Sequence, residues 1–356
     1  MNKDELQKYT GTENLTVIEA MQKIDRNAKG IIYIIDDEGH LKGSLTDGDI
    51  RRWILRTGDL SGQVTQMFYK NTKYLFEADV SGSGEYLNRE AIRSVPIVNS
   101  DFVLTDICFQ DGAMEKEKIN HVALDGIPII VMAGGKGTRL YPYTKILPKP
   151  LIPIGDVPIL ERIFERFYQF GAKQFYVTVN YKKEIIKSFF NELNPPYIIK
   201  YIEEDIPMGT AGSIRLIQES FDKPVIITNC DILIDTDYKK VLEYHENSGN
   251  DITIISSLKN IVIPYGVLHA KECGIVSSIE EKPQLSYFVN TGMYIINPEF
   301  LDWIPENRVF HMTDLAEKMM KNKRQVGMYP ISENAFLDMG EFEEMKRMEE
   351  RINGGM

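Results

Sequence analysis

The sequence predicts an α/β protein whose larger, C-terminal part holds a mainly parallel sheet and whose smaller, N-terminal part is an α+β module. Three observations carry that expectation. The chain has 356 residues, which at roughly 100–200 residues per domain allows two or three domains. From Ile127 onward, short apolar runs alternate with amphipathic segments, the pattern of right-handed βαβ units. Before that point the alternation is missing, and two strand–turn–strand stretches about sixty residues apart take its place.

In the N-terminal part, Ile31–Ile35 is a short β-branched run. Asp36-Asp37-Glu38-Gly39 reads as a turn, and 41–45 pairs back as a strand. Thr46-Asp47-Gly48-Asp49 opens a helix with Ile50, Trp53 and Ile54 on one face. Val95-Pro96-Ile97-Val98 and 102–104, around Asn99-Ser100-Asp101, repeat the arrangement at lower fidelity. Residues 114–121 are charged and polar, and read as a linker or connecting helix. The expected units are therefore 1–60, 61–124 and 125–356.

The C-terminal part begins with Ile127-Pro128-Ile129-Ile130-Val131-Met132, continuous and apolar as a strand buried on both faces must be. Ile159, Leu160, Ile163, Phe164 and Phe167 mark a helix face that Gly171 ends. Strands are expected at 175–179, 198–202 and 225–228, with helices at 182–193 and 211–220. No hexapeptide repeat follows, so no appended β-helix is expected.

Composition excludes several functions. A net charge of −11 argues against a nucleic-acid binder or an anionic-membrane binder, although a phosphate pocket needs only a few local cations. Three scattered cysteines form neither a disulfide framework nor a CxxC metal site, and the five histidines make no zinc pattern. The polar, acidic N-terminus is not a signal peptide, and no apolar run approaches the ~18 residues a membrane helix needs. A cytoplasmic location is the expectation.

The chemistry concentrates in Ala133-Gly134-Gly135-Lys136-Gly137-Thr138-Arg139-Leu140, directly after the buried strand. Ligands bind beyond the carboxyl ends of strands in open parallel sheets. Glycines there let backbone N–H groups reach phosphate oxygens, and Lys136 and Arg139 add charge. The loop is neither a Walker A motif nor G-x-G-x-x-G. Ten residues after Arg139, prolines on both sides of Lys149 fix the backbone that presents it. Val225–Thr228 leads through Asn229-Cys230 to Asp231, and Leu337-Asp338-Met339-Gly340 offers a second carboxylate.

Together, G-G-x-G-T-R-L and P-K-P-L resemble the signature of sugar-1-phosphate nucleotidyltransferases, over about 127–348. The resemblance implies a Rossmann-like, GT-A-like sheet domain. It implies Arg139, Lys149 and Lys282 as catalytic groups, with Ala133, Gly134, Gly135, Gly137, Thr138, Glu204, Gly209 and Thr210 around the nucleotide. Asp231 and Asp338 would bind Mg²⁺, the expected cofactor, although Met339 and Glu341-Phe342 depart from the family's second motif. Glu280-Glu281-Lys282-Pro283 matches the family's E-K-P motif, so Glu281 would take sugar hydroxyls and Lys282 the sugar phosphate. Tyr265-Gly266-Val267 and Asn290-Thr291-Gly292 resemble the other sugar-lining segments, with Gly266 and Asn290 as contacts.

The base is argued from Glu204, which stands where thymidylyl enzymes carry Gln. Guanine offers two adjacent donors, N1–H and the N2 amino group, and a carboxylate can accept both. GTP is therefore preferred, with Glu203 and Asp205 as alternative inward-facing groups and UTP or dTTP as alternative nucleotides.

The N-terminal stretch 31–52 resembles a CBS domain, with 61–124 as a degenerate second copy in which Leu104-Thr105-Asp106-Ile107 replaces T-x-G-D. That resemblance makes Thr46 and Asp49 candidate contacts for an adenosine nucleotide; the alternative is a module serving only packing and linkage. CBS units joined to such a transferase resemble the glucosamine-1-phosphate guanylyltransferases of legionaminic acid biosynthesis. Mannose-1-phosphate and heptose-1-phosphate guanylyltransferases and glucose-1-phosphate thymidylyl- or uridylyltransferases are the alternatives, with a non-catalytic nucleotide sensor as a distant alternative of a different class. The expected partners are an NTP and a sugar 1-phosphate, in a homo-oligomer, dimer or tetramer.

Overall fold

A computed structural model describes residues 1, 3–110, 122–340 and 342–353. The expected linker at 114–121 lies outside these residues, as does Glu341. The chain forms two compact units, one of 1–118 with 260–286 and the other of 119–259 with 287–356. The expected C-terminal domain is thus interrupted, because 260–286 packs with the N-terminal residues.

In the N-terminal unit, strand Thr10–Thr12 pairs parallel to Ile31–Ile35, which pairs antiparallel with Leu41–Thr46. Helix Val17–Asn27 connects the first two strands, and helix Asp47–Thr57 follows the third. The pairing recurs downstream, with Leu75–Phe76 parallel to Ser94–Val98 and Ser94–Val98 antiparallel to Leu104–Phe109. Here the sequence expectation was displaced at 102–104. Phe102 takes a left-handed turn conformation at φ 67°, and the strand begins only at Leu104. Apolar positions explain the packing of the first helices: Val17, Ala20, Met21 and Ile24 are buried from one, Ile50, Trp53 and Ile54 from the other. Each helix opens on a reciprocal cap, Thr16 with Glu19 and Thr46 with Asp49.

The same unit holds a hairpin of Gly266–Ala270 and Val276–Glu281. The chain entering it meets helix Val17–Asn27, where Gln22 Nε2 donates to Asn260 Oδ1 at 3.2 Å, and the chain leaving it meets the entering chain, Ser286 Oγ donating to the same oxygen at 2.6 Å.

The second unit is built on a seven-stranded sheet. Its order is Ile198–Glu203, Gln174–Val179, Ile129–Met132, Val225–Asn229, Gln284–Ile296, Ile252–Val262 and Val326–Ile331. The first four strands run parallel, and Gln284–Ile296 pairs antiparallel with Val225–Asn229. Ile129–Met132 is buried at every position, as its unbroken apolar run requires. Helix Ile159–Gln169 buries all five residues read from its sequence face. Phe164 packs its ring against Phe175, Phe190 and Tyr197 at centroid distances of 4.5, 5.2 and 5.5 Å. Burying one such side chain stabilises by about 1.5–3 kcal/mol, so this cluster ties the helix layer to the sheet that carries the glycine loop.

The expected helix at 211–220 is shorter. A single turn at Gly209–Gly212 passes into a 3₁₀ segment at Ser213–Leu216, and the chain then extends. Beyond it, the Glu219 carboxylate accepts from Tyr176 OH at 2.6 Å and pairs with Lys200. Among the described residues, no helix is long and apolar enough to cross a membrane.

Candidate functional site

At the carboxyl end of Ile129–Met132, the chain turns through the glycine loop, and Thr138–Leu140 forms a short 3₁₀ turn. Gly137 has φ 64°, and a Cβ there would stand 2.9 Å from Thr144 Cγ2 and 3.0 Å from Lys149 Cβ. Only glycine fits this turn without strain. The close approach also seats Lys149 directly against the loop. Thr144, fully buried, donates to the Gly137 carbonyl at 2.9 Å and pins the loop from below.

Lys149 opens the 3₁₀ turn Lys149–Leu151, anchored by buried Pro150 and Leu151. Its ammonium donates to Asp231 Oδ2. Asp231 follows Val225–Asn229, and its carbonyl accepts from Met339 N–H at 2.8 Å. Just beyond it, Ile232–Ile234 pairs antiparallel with Phe336–Asp338, with Ile232 opposite Asp338. Two carboxylates from distant parts of the chain are thereby brought to one place.

The electrostatics follow from that placement. Burial raises the Asp338 carboxyl above the usual carboxylate range and the neighbouring Asp231 charge adds to the effect, while a 2.7 Å hydrogen bond from Gly340 N–H works against both. Burial works against the Lys149 ammonium, but Asp231 and the more remote Asp338 outweigh it and leave its pKa raised. Cys230, between strand and carboxylate, is pushed up to about 12 by burial and stays a neutral thiol.

Asp231 and Asp338 border a cleft of about 580 Å³. Arg139, Asp231, Asp338, Asn290, Thr210, His311 and Lys259 are among its lining residues. Asn290 is held in place by donating to Tyr294 OH at 2.6 Å and accepting from Gly292 N–H at 2.9 Å. Thr210 lies in the turn Gly209–Gly212, which is clasped by the 308–312 segment. Ala211 N–H donates to the Phe310 carbonyl at 3.0 Å, and Thr210 N–H donates to His311 Nδ1 at 3.3 Å.

Glu204 sits at the end of Ile198–Glu203, only 5 % exposed. A Cβ on Gly134 would stand 2.6 Å from Glu204 Oε1, so the carboxylate lies against the loop backbone. Its Oε2 accepts from Met208 N–H at 3.3 Å. Ala133 is buried at the head of the loop and donates its N–H to the Thr178 carbonyl at 3.0 Å.

Other expected site residues belong to the N-terminal unit. Gly266, Glu281 and Lys282 belong to the hairpin of the N-terminal unit, where Gly266 pairs with Glu281 and every position of Val276–Glu281 is exposed. Thr46 and Asp49 satisfy each other at a helix start: Thr46 N–H donates to Asp49 Oδ2 at 2.9 Å, and Asp49 N–H to Thr46 Oγ1 at 3.2 Å. Arg52 takes the other Asp49 oxygen.

Sequence reasoning passed over Lys259 and His311. Lys259 had a visible signal, a lone cation directly after the apolar or small run Ile254 to Leu258. His311 begins a cap with Asp314 and carries no motif that marks it as cleft-lining.

Residues 128–353, well over half of the chain, match the nucleotidyl transferase family model. The chain belongs to that family. Residues 9–56 match the CBS domain model. The UTP–glucose-1-phosphate uridylyltransferase of Synechocystis sp. is 33 % identical over 211 residues, 54 % of this chain and 54 % of that protein. The mannose-1-phosphate guanylyltransferase catalytic subunit beta of Drosophila melanogaster is 33 % identical over 189 residues, 51 % of each. The chain spans about half the length of these curated relatives. Among solved structures, HddC from Yersinia pseudotuberculosis is 27 % identical, with 64 % of this chain and 99 % of that chain covered at a TM-score of 0.49.

Proposed function

We propose that this chain transfers a nucleotidyl group from an NTP, with GTP preferred, to a sugar 1-phosphate, releasing pyrophosphate. The observation that carries the reading is the convergence of Lys149, Asp231 and Asp338 beside the glycine loop, with Arg139 in the same cleft. In the proposed reaction, a sugar phosphate oxygen attacks the α-phosphorus in line and pyrophosphate leaves. A phosphate monoester is already largely ionised at pH 7, so no general base is required. The work falls to positioning and charge neutralisation. Arg139 and Lys149 would offset charge on the triphosphate and the departing pyrophosphate. Backbone N–H groups at Gly134, Gly135, Gly137 and Thr138 would cradle its oxygens.

Two carboxylates in a partly buried cleft, where burial and the Asp231 charge raise the cost of ionising Asp338, form a donor set suited to a hard divalent cation. Asp231 and Asp338 would hold Mg²⁺, which when bound supplies further neutralisation of the phosphates. Glu204 supports the choice of GTP, because a buried carboxylate beside the loop suits the paired donors of guanine. Glucosamine 1-phosphate is the proposed acceptor, for a surface glycan or nonulosonate of the legionaminic acid type. The relatives act on mannose and glucose 1-phosphates, which are the alternatives. Glu281 and Lys282 would complete the sugar side, and an adenosine nucleotide at Thr46 and Asp49 would regulate. That last role requires the nucleotide to displace the helix cap.

The test is a matrix of the common NTPs and dTTP against several sugar 1-phosphates, read as pyrophosphate release. Release with GTP and glucosamine 1-phosphate is expected. No pyrophosphate from any pair would remove the reading.

A further inference from the structure

The proposed reaction brings two separate anions into one cleft, a triphosphate and a monoester. Among the described lining residues, Arg139 and Lys259 are the lysine and arginine side chains that face it. They come from different walls. Arg139 belongs to the glycine loop, whereas Lys259 stands on strand Ile252–Val262, next in the sheet to the strand that carries Asn290. Lys149 is not among these lining residues and pairs with Asp231.

Lys259 is held loosely. Its ammonium lies 3.4 Å from Glu333 Oε1, with both side chains about a third exposed at 32 and 35 %. Exposed pairs of this kind contribute little and exchange readily. The same ammonium lies 6.0 Å from the centre of the Phe336 ring, two residues before Asp338 on the strand Phe336–Asp338. An aromatic face and a weak carboxylate partner leave the cation positioned toward the cleft and available to a stronger anion.

Resting on the functional reading above, we propose that Lys259 is the cleft's binding residue for the phosphate of the sugar 1-phosphate, with Glu333 holding it in place until that phosphate arrives. The assignment adds a contact to the one the family motif implies for Lys282. It also gives Glu333 a defined sign: this carboxylate competes with substrate rather than assisting it. A merely structural Lys259–Glu333 pair would give both partners the same phenotype.

The test compares wild type with Lys259→Met, Lys259→Arg and Glu333→Gln. With an NTP and sugar pair that wild type turns over, Lys259→Met should raise KM for the sugar phosphate about ten- to a hundredfold, the loss expected for one charge-assisted hydrogen bond. KM for the NTP should stay within about twofold. Lys259→Arg should recover most of the loss, and Glu333→Gln should leave the sugar phosphate KM unchanged or lower. Equal shifts for both substrates, or a Glu333→Gln variant that behaves like Lys259→Met, would overturn the proposal. Calorimetry separates this outcome from failure of the functional reading. Glucose, glucosamine and mannose 1-phosphates are titrated into each variant with Mg²⁺ and a non-hydrolysable GTP analogue, whether or not turnover occurs. Tighter binding to wild type than to Lys259→Met is expected. Equal binding, or none to wild type, would defeat the role assigned to Lys259.

Discussion

Lys149 and Lys282 are both lysines set beside proline, and both were drawn from family motifs, yet the structure treats them in opposite ways. Lys149 begins a turn whose next two residues are buried, its side chain 17 % exposed and its ammonium on Asp231. Lys282 stands at φ 48° at the end of an exposed hairpin strand, in a different compact unit. The first is fixed by a core that would have to move for the lysine to move. The second is presented by a two-stranded hairpin, an element with little independent stability. The difference teaches that one motif lysine is preorganised by the core around it, while the other is carried on a less constrained element.

The comparison is broken most directly at Lys149. Lys149→Met should lower kcat/KM about 10²–10³-fold, the effect of removing one preorganised charge-stabilising group. Lys282→Met should instead act mainly on KM for the sugar phosphate, by about one to two decades, with denaturation midpoints unchanged. Steady-state kinetics with each substrate varied separates the two, and equal kcat losses would erase the distinction.

Next in size is the loop that Lys149 leans on. Gly137→Ala places a methyl 3.0 Å from Lys149 Cβ in a left-handed turn. A stability loss of about 1–3 kcal/mol is expected, with a fall in kcat, whereas Gly266→Ala in the hairpin should act on KM for the sugar phosphate. Urea unfolding and turnover of both variants check this. Glu204→Gln tests the wall of the same loop. It should shift nucleotide preference from GTP toward UTP or dTTP by about one decade, read as the ratio of kcat/KM values.

The smallest effect concerns how the sheet unit responds to pH. His245 is 1 % exposed and sits between Thr253 Oγ1 at 2.8 Å and Asn297 Oδ1 at 3.1 Å. Burial lowers its pKa from the ordinary 6.5. As pH falls through 6.5, the unfolded chain takes up a proton that the folded chain refuses, so stability declines until the folded imidazole also titrates. His245→Gln should flatten that decline relative to wild type in unfolding curves taken between about pH 5 and 8.

What was legible in the sequence follows the range of the interactions. The glycine loop, the buried strand before it and the face of Ile159–Gln169 were readable because neighbouring residues determine each of them. The shared placement of Asp231 and Asp338 was readable only through the family motif, since 107 positions separate them and a short antiparallel pairing brings them together. The turn to extended backbone after Leu216, with Glu219 then meeting Tyr176 and Lys200, is a long-range arrangement that no local pattern announces. Lys259 carries only a weak mark, a lone cation closing the run Ile254 to Leu258, and no motif around it. The attachment of 260–286 to the N-terminal residues was least legible, because that stretch interrupts a family domain that reads as continuous in one dimension.

That attachment changes what it means to remove the N-terminal module. The chain passes between the two units at three places, after residues 118, 259 and 286. A protease site engineered between 110 and 122 would cut only one of these passages. The two fragments should then travel together through gel filtration, because the smaller one still grips 260–286 in the larger. A truncation that discards residues 1–118 would do something else: it would strip the partner from a segment bearing Glu281 and Lys282. The first helix, through Gln22 and Asn260, is therefore a brace for part of the transferase chain, and a catalytic domain expressed without residues 1–118 would begin by losing it.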